Sequence, residues 1–97
     1  MRGFENKDGL NGTCIIAEVG LSHEGSLGQA IAYVDSLSAI GVDAVKFQCH
    51  LAEYESSKEE KFRVNVFPQD NKRQDYWSRT SFSIDEWKVL SDRCKEK

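Results

Sequence analysis

The sequence predicts an α/β fold built on a parallel sheet, and this chain reads as its opening strand–helix–strand–helix portion. Three observations carry that reading. Two short apolar runs, Thr13–Gly20 (TCIIAEVG) and Asp43–His50 (DAVKFQCH), flank a stretch with helical spacing. Hydroxyl caps stand at Ser26 and Ser83, each at the start of an apolar stripe. Both strand-like runs also carry a charge, Glu18 in the first and Lys46 in the second. Buried charge is costly unless it is paired or hydrogen-bonded, so two such residues in short apolar strands point to a site.

Composition bounds the rest. The chain has 97 residues, a net charge of −3, 30% charged and 39% hydrophobic residues. That suits at most one small domain and gives no electrostatic footprint for nucleic acid. No basic run marks an anionic membrane surface, and no apolar stretch approaches the ~20 residues of a membrane span. The start, MRGFENKDGLNG, lacks the apolar core of a secretory signal. Cys14, Cys49 and Cys94 are widely spaced and odd in number, which fits reduced thiols and a cytoplasmic protein.

In order, residues 1–12 read as a polar lead-in with room for a short edge strand. Strand one is expected at about Cys14–Val19. Side chains alternate across a strand, so Cys14, Ile16, Glu18 and Gly20 share one face, and Ile15, Ala17 and Val19 the other. Gly20–Gly25 forms the strand-to-helix loop. Ser26 and Gln29 match a capping box, and Leu27, Ala30, Ile31, Val34 and Leu37 form one helical stripe. Gly41 is a natural left-handed stop. Strand two starts at Asp43 or Ala44, with Lys46, Gln48 and His50 on one face and Val45, Phe47 and Cys49 on the other. Strand, helix and strand with short loops make a βαβ unit.

The region of about 51–82 reads as a long strand-to-helix connection without a sustained helical stripe. Phe62, Val64 and Val66 allow a short extended segment before Phe67–Pro68. Such connections are either functional or solvated insertions, and Tyr76, Trp77 and Phe82 indicate packing at its end. The last helix opens with a capping box, Ser83 and Glu86, and a hydrophobic staple, Phe82 and Trp87. Ile84, Trp87, Leu90 and Cys94 are its expected buried stripe. The pattern runs to Lys97 without a cap, so the chain reads as the beginning of a larger domain.

Candidate chemistry follows from placement. Ligands of parallel α/β proteins gather at the C-terminal ends of strands, where Glu18 and Lys46 lie. Lys46 is a compact cation for a phosphate or carboxylate, or a Schiff-base amine; a structural ion pair with Glu18 is the alternative. Gln48 would orient a polar ligand on the same face. His23, at the loop rim, is a candidate ligand donor or a local hydrogen-bond partner, and Glu24 suits a helix N-terminus. Cys49 and His50 point to opposite faces and do not form a nucleophile–base couple. Arg63, Lys72, Arg73 and Arg79 could close over an anion or be surface charges balanced by Glu59, Glu60, Asp70 and Asp75; Arg79, beside Tyr76 and Trp77, is the strongest. No dinucleotide fingerprint, Walker-type loop or zinc cluster is present.

The run IIAEVGLSHEGSLGQA followed by AIGVDAVKFQCH resembles the N-terminal part of the sialic acid (N-acetylneuraminate) synthase family, with its legionaminate, pseudaminate and spore-coat relatives. Val42 and Cys49 stand where Ala and Thr are usual, and Ser22-His23 where the loop reads Asn-His. Asp75-Tyr76-Trp77-Ser78-Arg79 and Glu86-Trp87 also resemble that family's second loop and helix. The resemblance implies the opening quarter of a (β/α)8 TIM barrel, a fold of about 250 residues, with the remaining barrel and an antifreeze-like domain lying outside this chain. It implies a cytoplasmic transferase of carbohydrate biosynthesis, homodimeric as the intact parent. Phosphoenolpyruvate C3 attacks the aldehyde of an N-acetylated amino sugar such as N-acetylmannosamine, water adds at C2, and phosphate leaves. A divalent metal, Mn²⁺ or Mg²⁺, polarises that aldehyde through ligands on later strands, not in this chain. By resemblance Glu18 holds sugar hydroxyls, Lys46 the phosphoenolpyruvate anion, and Gln48 the ligand beside it. The 97 residues alone are then expected to be inactive. The other readings are a non-enzymatic short chain, half of a split barrel or a partner-binding module, and a Schiff-base enzyme.

Overall fold

A computed structural model describes residues 12–62 and 72–97. The expected lead-in at 1–11 and most of the extended segment at Phe62–Val66 lie outside the described residues, as does Arg63. The elements are β1 (Ile16–Gly20), α1 (Leu27–Ala39), β2 (Ala44–Phe47), α2 (Ala52–Glu55), α3 (Arg73–Thr80) and α4 (Ile84–Glu96). They fall into two compact units. Residues up to Gln48 join Phe82–Lys97 in the first, and Cys49–Ser81 form the second.

In the first unit β1 and β2 pair in parallel, with α1 between them in sequence. Ile16 faces Ala44, Ala17 faces Val45 and Glu18 faces Lys46; the register then slips, and Gly20 faces Phe47. Asp43 fastens the start of the pair. Its buried carboxylate accepts from the Ile15 N–H at 2.9 Å, and its own N–H donates to the Ile15 carbonyl at 3.0 Å. A two-point clamp of this kind fixes where the ladder begins, and therefore which residues meet further along it.

Helix α1 begins at the expected cap, but only half of the expected capping box forms: Ser26 Oγ accepts from the Gln29 N–H at 3.1 Å, while the Ser26 N–H donates to the His23 carbonyl at 3.0 Å instead of to the Gln29 side chain. It ends at Gly41, whose φ of +88° is left-handed backbone open to glycine at little cost. Ala30 and Val34 of α1 are fully buried against Phe82 and Leu90. Leu27, Ile31, Phe47, Trp87 and Cys94 pack around that cluster. Across the helices, Arg93 donates through Nε and Nη2 to the two carboxylate oxygens of Asp35, each at 2.8 Å. The hydrogen bond to Arg93 holds the Asp35 carboxyl below its ordinary range.

The capping box of α4 is complete. Ser83 Oγ accepts from the Glu86 N–H at 3.1 Å, and Glu86 Oε1 accepts from the Ser83 N–H at 2.9 Å. Phe82 and Trp87 meet edge to face with centroids 5.2 Å apart, the expected staple. Ile84 departs from expectation: it is 87% exposed. Each residue turns a helix by about 100°. Trp87, Leu90 and Cys94 therefore lie within an arc of about 60°, and Ile84 falls roughly 90° from its centre.

Within the connection expected at about 51–82, the second unit holds two short helices, α2 and α3, neither long enough to make a sustained stripe. Gln74 Nε2 joins them, donating to the carbonyls of Ser56 at 3.1 Å and Ala52 at 3.4 Å. Residues Lys61 and Lys72 form an antiparallel bridge, and Phe62 meets Tyr76 edge-on at 5.7 Å. Tyr76 and Thr80 are the buried residues of α3, a single i, i+4 pair too short to register as a stripe. No helix among the described residues is long and apolar enough to cross a membrane.

Candidate functional site

Parity placed Glu18, Lys46 and Gln48 on one face, and the structure brings the three together at the ends of β1 and β2. Glu18 and Lys46 are register partners on adjacent strands. Lys46 Nζ lies 3.0 Å from Glu18 Oε2, with the two side chains 63% and 48% exposed. An ion pair this open contributes at most about 1 kcal/mol, so the ammonium can exchange its carboxylate for another anion at small cost. The pair is held in place and still accessible.

Gly20 makes the space beside it. The register slip between Glu18 and Gly20 is a bulge, a device that re-aims side chains near strand ends. Gly20 takes φ +60°, and the Gln48 N–H donates to its carbonyl at 3.3 Å. A Cβ at this position would stand 3.2 Å from Glu18 Oε1 and 3.3 Å from Gln48 Oε1. Glycine therefore leaves a cradle between a carboxylate, an amide and, through Glu18, an ammonium. Sequence parity put Gly20 on this face but gave no sign of its role; the left-handed backbone is what reveals it.

The other candidates go elsewhere. His23 does not stand at an open rim: it is 1% exposed, with its ring stacked on Phe82 at 4.4 Å and 6.1 Å from Phe47. Phe47 has the opposite strand parity to Lys46, so His23 lies on the helix side of the sheet. Nδ1 accepts from the Gly25 N–H at 2.9 Å, which is the local hydrogen-bond reading of this residue. Burial lowers its pKa, opposed by the Glu24 carboxylate.

Arg79 belongs to the second unit, where its guanidinium lies 5.5 Å from the Tyr76 ring centroid. Arg73 approaches Glu60 at 3.6 Å, the surface-charge alternative. His50 belongs to the second unit. It stacks nearly parallel on Trp77 at 4.2 Å and bonds through Nδ1 to Glu55 at 3.2 Å. Glu55 also accepts from the Leu51 N–H. Sequence reasoning did not anticipate this cluster, because Trp77 lies 27 residues beyond His50 in the chain.

Among the described residues, no group of three His, Cys, Asp or Glu side chains could hold a metal ion. These residues do not fit a divalent-metal centre, and the chemistry available to the cradle is recognition: a cation for an anion, with a carboxylate and an amide for hydroxyl or amide groups.

No protein-family model matches the chain. It is similar to the spore coat polysaccharide biosynthesis protein SpsE of Bacillus subtilis (strain 168), with 51% identity over 39 residues. That match covers 40% of this chain and only 10% of the length of SpsE.

Proposed function

We propose that this chain is the N-terminal segment of a sialic-acid-type synthase of polysaccharide biosynthesis. The synthase would condense phosphoenolpyruvate with an N-acetylated amino sugar to give a nonulosonate and inorganic phosphate. The observation that carries the reading is the exposed Glu18–Lys46 pair beside the Gly20 cradle. It lies at the C-terminal strand ends, within the sequence that resembles this family. The local similarity to a spore coat polysaccharide biosynthesis protein supports the same theme.

In this reading the Lys46 ammonium receives the phosphoenolpyruvate anion and leaves Glu18. The freed carboxylate accepts hydroxyl hydrogen bonds from the sugar, and Gln48 fixes the ligand beside it. Binding on one face of a two-stranded platform holds the enol carbon near the aldehyde, and such orientation lowers the barrier of a bimolecular step. A C–C bond forms between phosphoenolpyruvate C3 and the sugar aldehyde carbon. Water supplies oxygen at C2, and the C2–O bond to phosphate breaks. No imine is formed, so Lys46 acts as an electrostatic partner and not as a nucleophile.

Product analysis tests the reading. The native protein carrying this segment is incubated with phosphoenolpyruvate, Mn²⁺ and N-acetylated amino sugars, and nonulosonate and phosphate are quantified together. Equal release of both supports the synthase. Absence of both with every N-acetylated sugar, or trapping of Lys46 by borohydride, would sink it.

A further inference from the structure

We infer that His23 is a positioning residue that acts as an acid-sensitive latch, pinning the β1–α1 loop to the core through Nδ1 and releasing it when Nδ1 is protonated. The inference concerns the first unit alone and holds whichever reaction the cradle serves.

The loop is a run of tight turns. The N–H groups of Ser22, Glu24 and Ser26 donate to the carbonyls of Val19, Leu21 and His23, each at 3.0 Å. Its path requires left-handed backbone at Gly20, Glu24 and Gly25, with φ of +60°, +55° and +81°. Glycine takes this conformation freely, but glutamate does so only under constraint from its surroundings. His23 supplies a constraint next to Glu24. Its ring is sealed in the core, and its Nδ1 accepts the Gly25 N–H at 2.9 Å. One aromatic side chain thus ties the turn to Phe82 and Phe47 below it.

Acceptance at Nδ1 fixes the tautomer, so the ring proton is on Nε2. Nε2 is itself buried and without a partner among the described residues. A second proton has nowhere to go: on Nδ1 it would face the Gly25 N–H, donor against donor. The charge it brings would sit against Phe47 of β2 and Phe82 ahead of α4, opposed only in part by the Glu24 carboxylate on its own loop. Burial outweighs Glu24 and lowers the pKa from its ordinary 6.5. The sign is then fixed. Between the lowered native pKa and 6.5 the unfolded chain binds more protons, so the latch contributes fully above 6.5 and weakens as pH falls below it. Release frees the run of turns between Val19 and Ser26.

The test is site-resolved amide exchange on the native protein that carries this segment, corrected for intrinsic pH effects, alongside the imidazole titrations of His23 and His50. In the wild type, Gly25 protection is expected to be lost with the same midpoint as His23 protonation, while Ala30 and Leu90 stay protected. His23→Asn places an unprotonatable acceptor where Nδ1 was and should keep Gly25 protected across the range. His23→Phe keeps the ring stack and should leave Gly25 unprotected at every pH. Wild-type Gly25 protection that ignores His23 protonation overturns the latch, whatever the variants do. So does a His23→Asn chain that repeats the wild-type pH dependence.

Discussion

Lys46 and Glu18 face each other as register partners on parallel strands, with Nζ 3.0 Å from Oε2 and both side chains open to solvent. Two opposite charges that chose only stability would gain little here, since exposed pairs contribute at most about 1 kcal/mol. The proposed function uses this geometry as it stands. The cation is fixed in direction by its strand and kept neutralised by a carboxylate it can exchange. The Asp43 clamp upstream and the bulge before Gly20 both serve that geometry, the first by setting the register and the second by opening the space.

Gly20 and Gly41 separate conformational cost from site blockage. Both have left-handed φ, but a Cβ at Gly41 meets nothing within 4 Å, whereas one at Gly20 meets Glu18 and Gln48. Each change to Ala should cost about 1–2 kcal/mol in urea unfolding, from the backbone alone. Gly20→Ala should in addition weaken phosphoenolpyruvate binding by the native protein, because its Cβ pushes the Glu18 and Gln48 side chains back, while Gly41→Ala should not. Equal binding by the two variants would show that the cradle is not the site.

Helix α4 gives a packing test. Leu90 is 2% exposed in the core cluster, and Ile84 is 87% exposed on the same helix. Leu90→Ala should destabilise the chain by about 2–5 kcal/mol. Ile84→Ala should stay within about 0.5 kcal/mol. Chemical denaturation followed by tryptophan fluorescence in a Trp77→Phe background reads both, and a large loss at Ile84 would contradict the orientation of α4.

The thiols should differ in reactivity. Cys49 is exposed, while Cys94 is partly buried and burial pushes its thiol pKa up. Thiolate is the reactive form, so iodoacetamide at neutral pH should alkylate Cys49 well before Cys94. Peptide mapping over time measures the order; Cys94 reacting first would mean that α4 leaves the core.

The sequence was legible where a pattern repeats. Period-two alternation placed Glu18, Lys46 and Gln48 on one face, and hydroxyl caps with three- and four-residue steps found α1 and α4. Ile84 went wrong because a three-residue step was extended one position too far, off the arc set by Trp87, Leu90 and Cys94. Helices α2 and α3 were missed because four and eight residues hold too few buried positions to make a stripe. His23 was read as a rim residue because loop residues usually face solvent; its burial comes from Phe82, far along the chain. The bulge at Gly20 depends on a backbone angle that apolar alternation does not encode. A (β/α)8 barrel takes eight strands, and the described residues hold two.

The most direct test of the central claim is the steady-state kinetics of Lys46→Ala and Glu18→Ala in the native protein that carries this segment. Loss of a charge-assisted hydrogen bond costs about 1.5–3 kcal/mol, or roughly 10- to 100-fold. Lys46→Ala should lower kcat/KM for phosphoenolpyruvate by that factor, and Glu18→Ala should fall more heavily on the amino sugar. Unchanged kcat/KM for both substrates in both variants would contradict the assignment of the site.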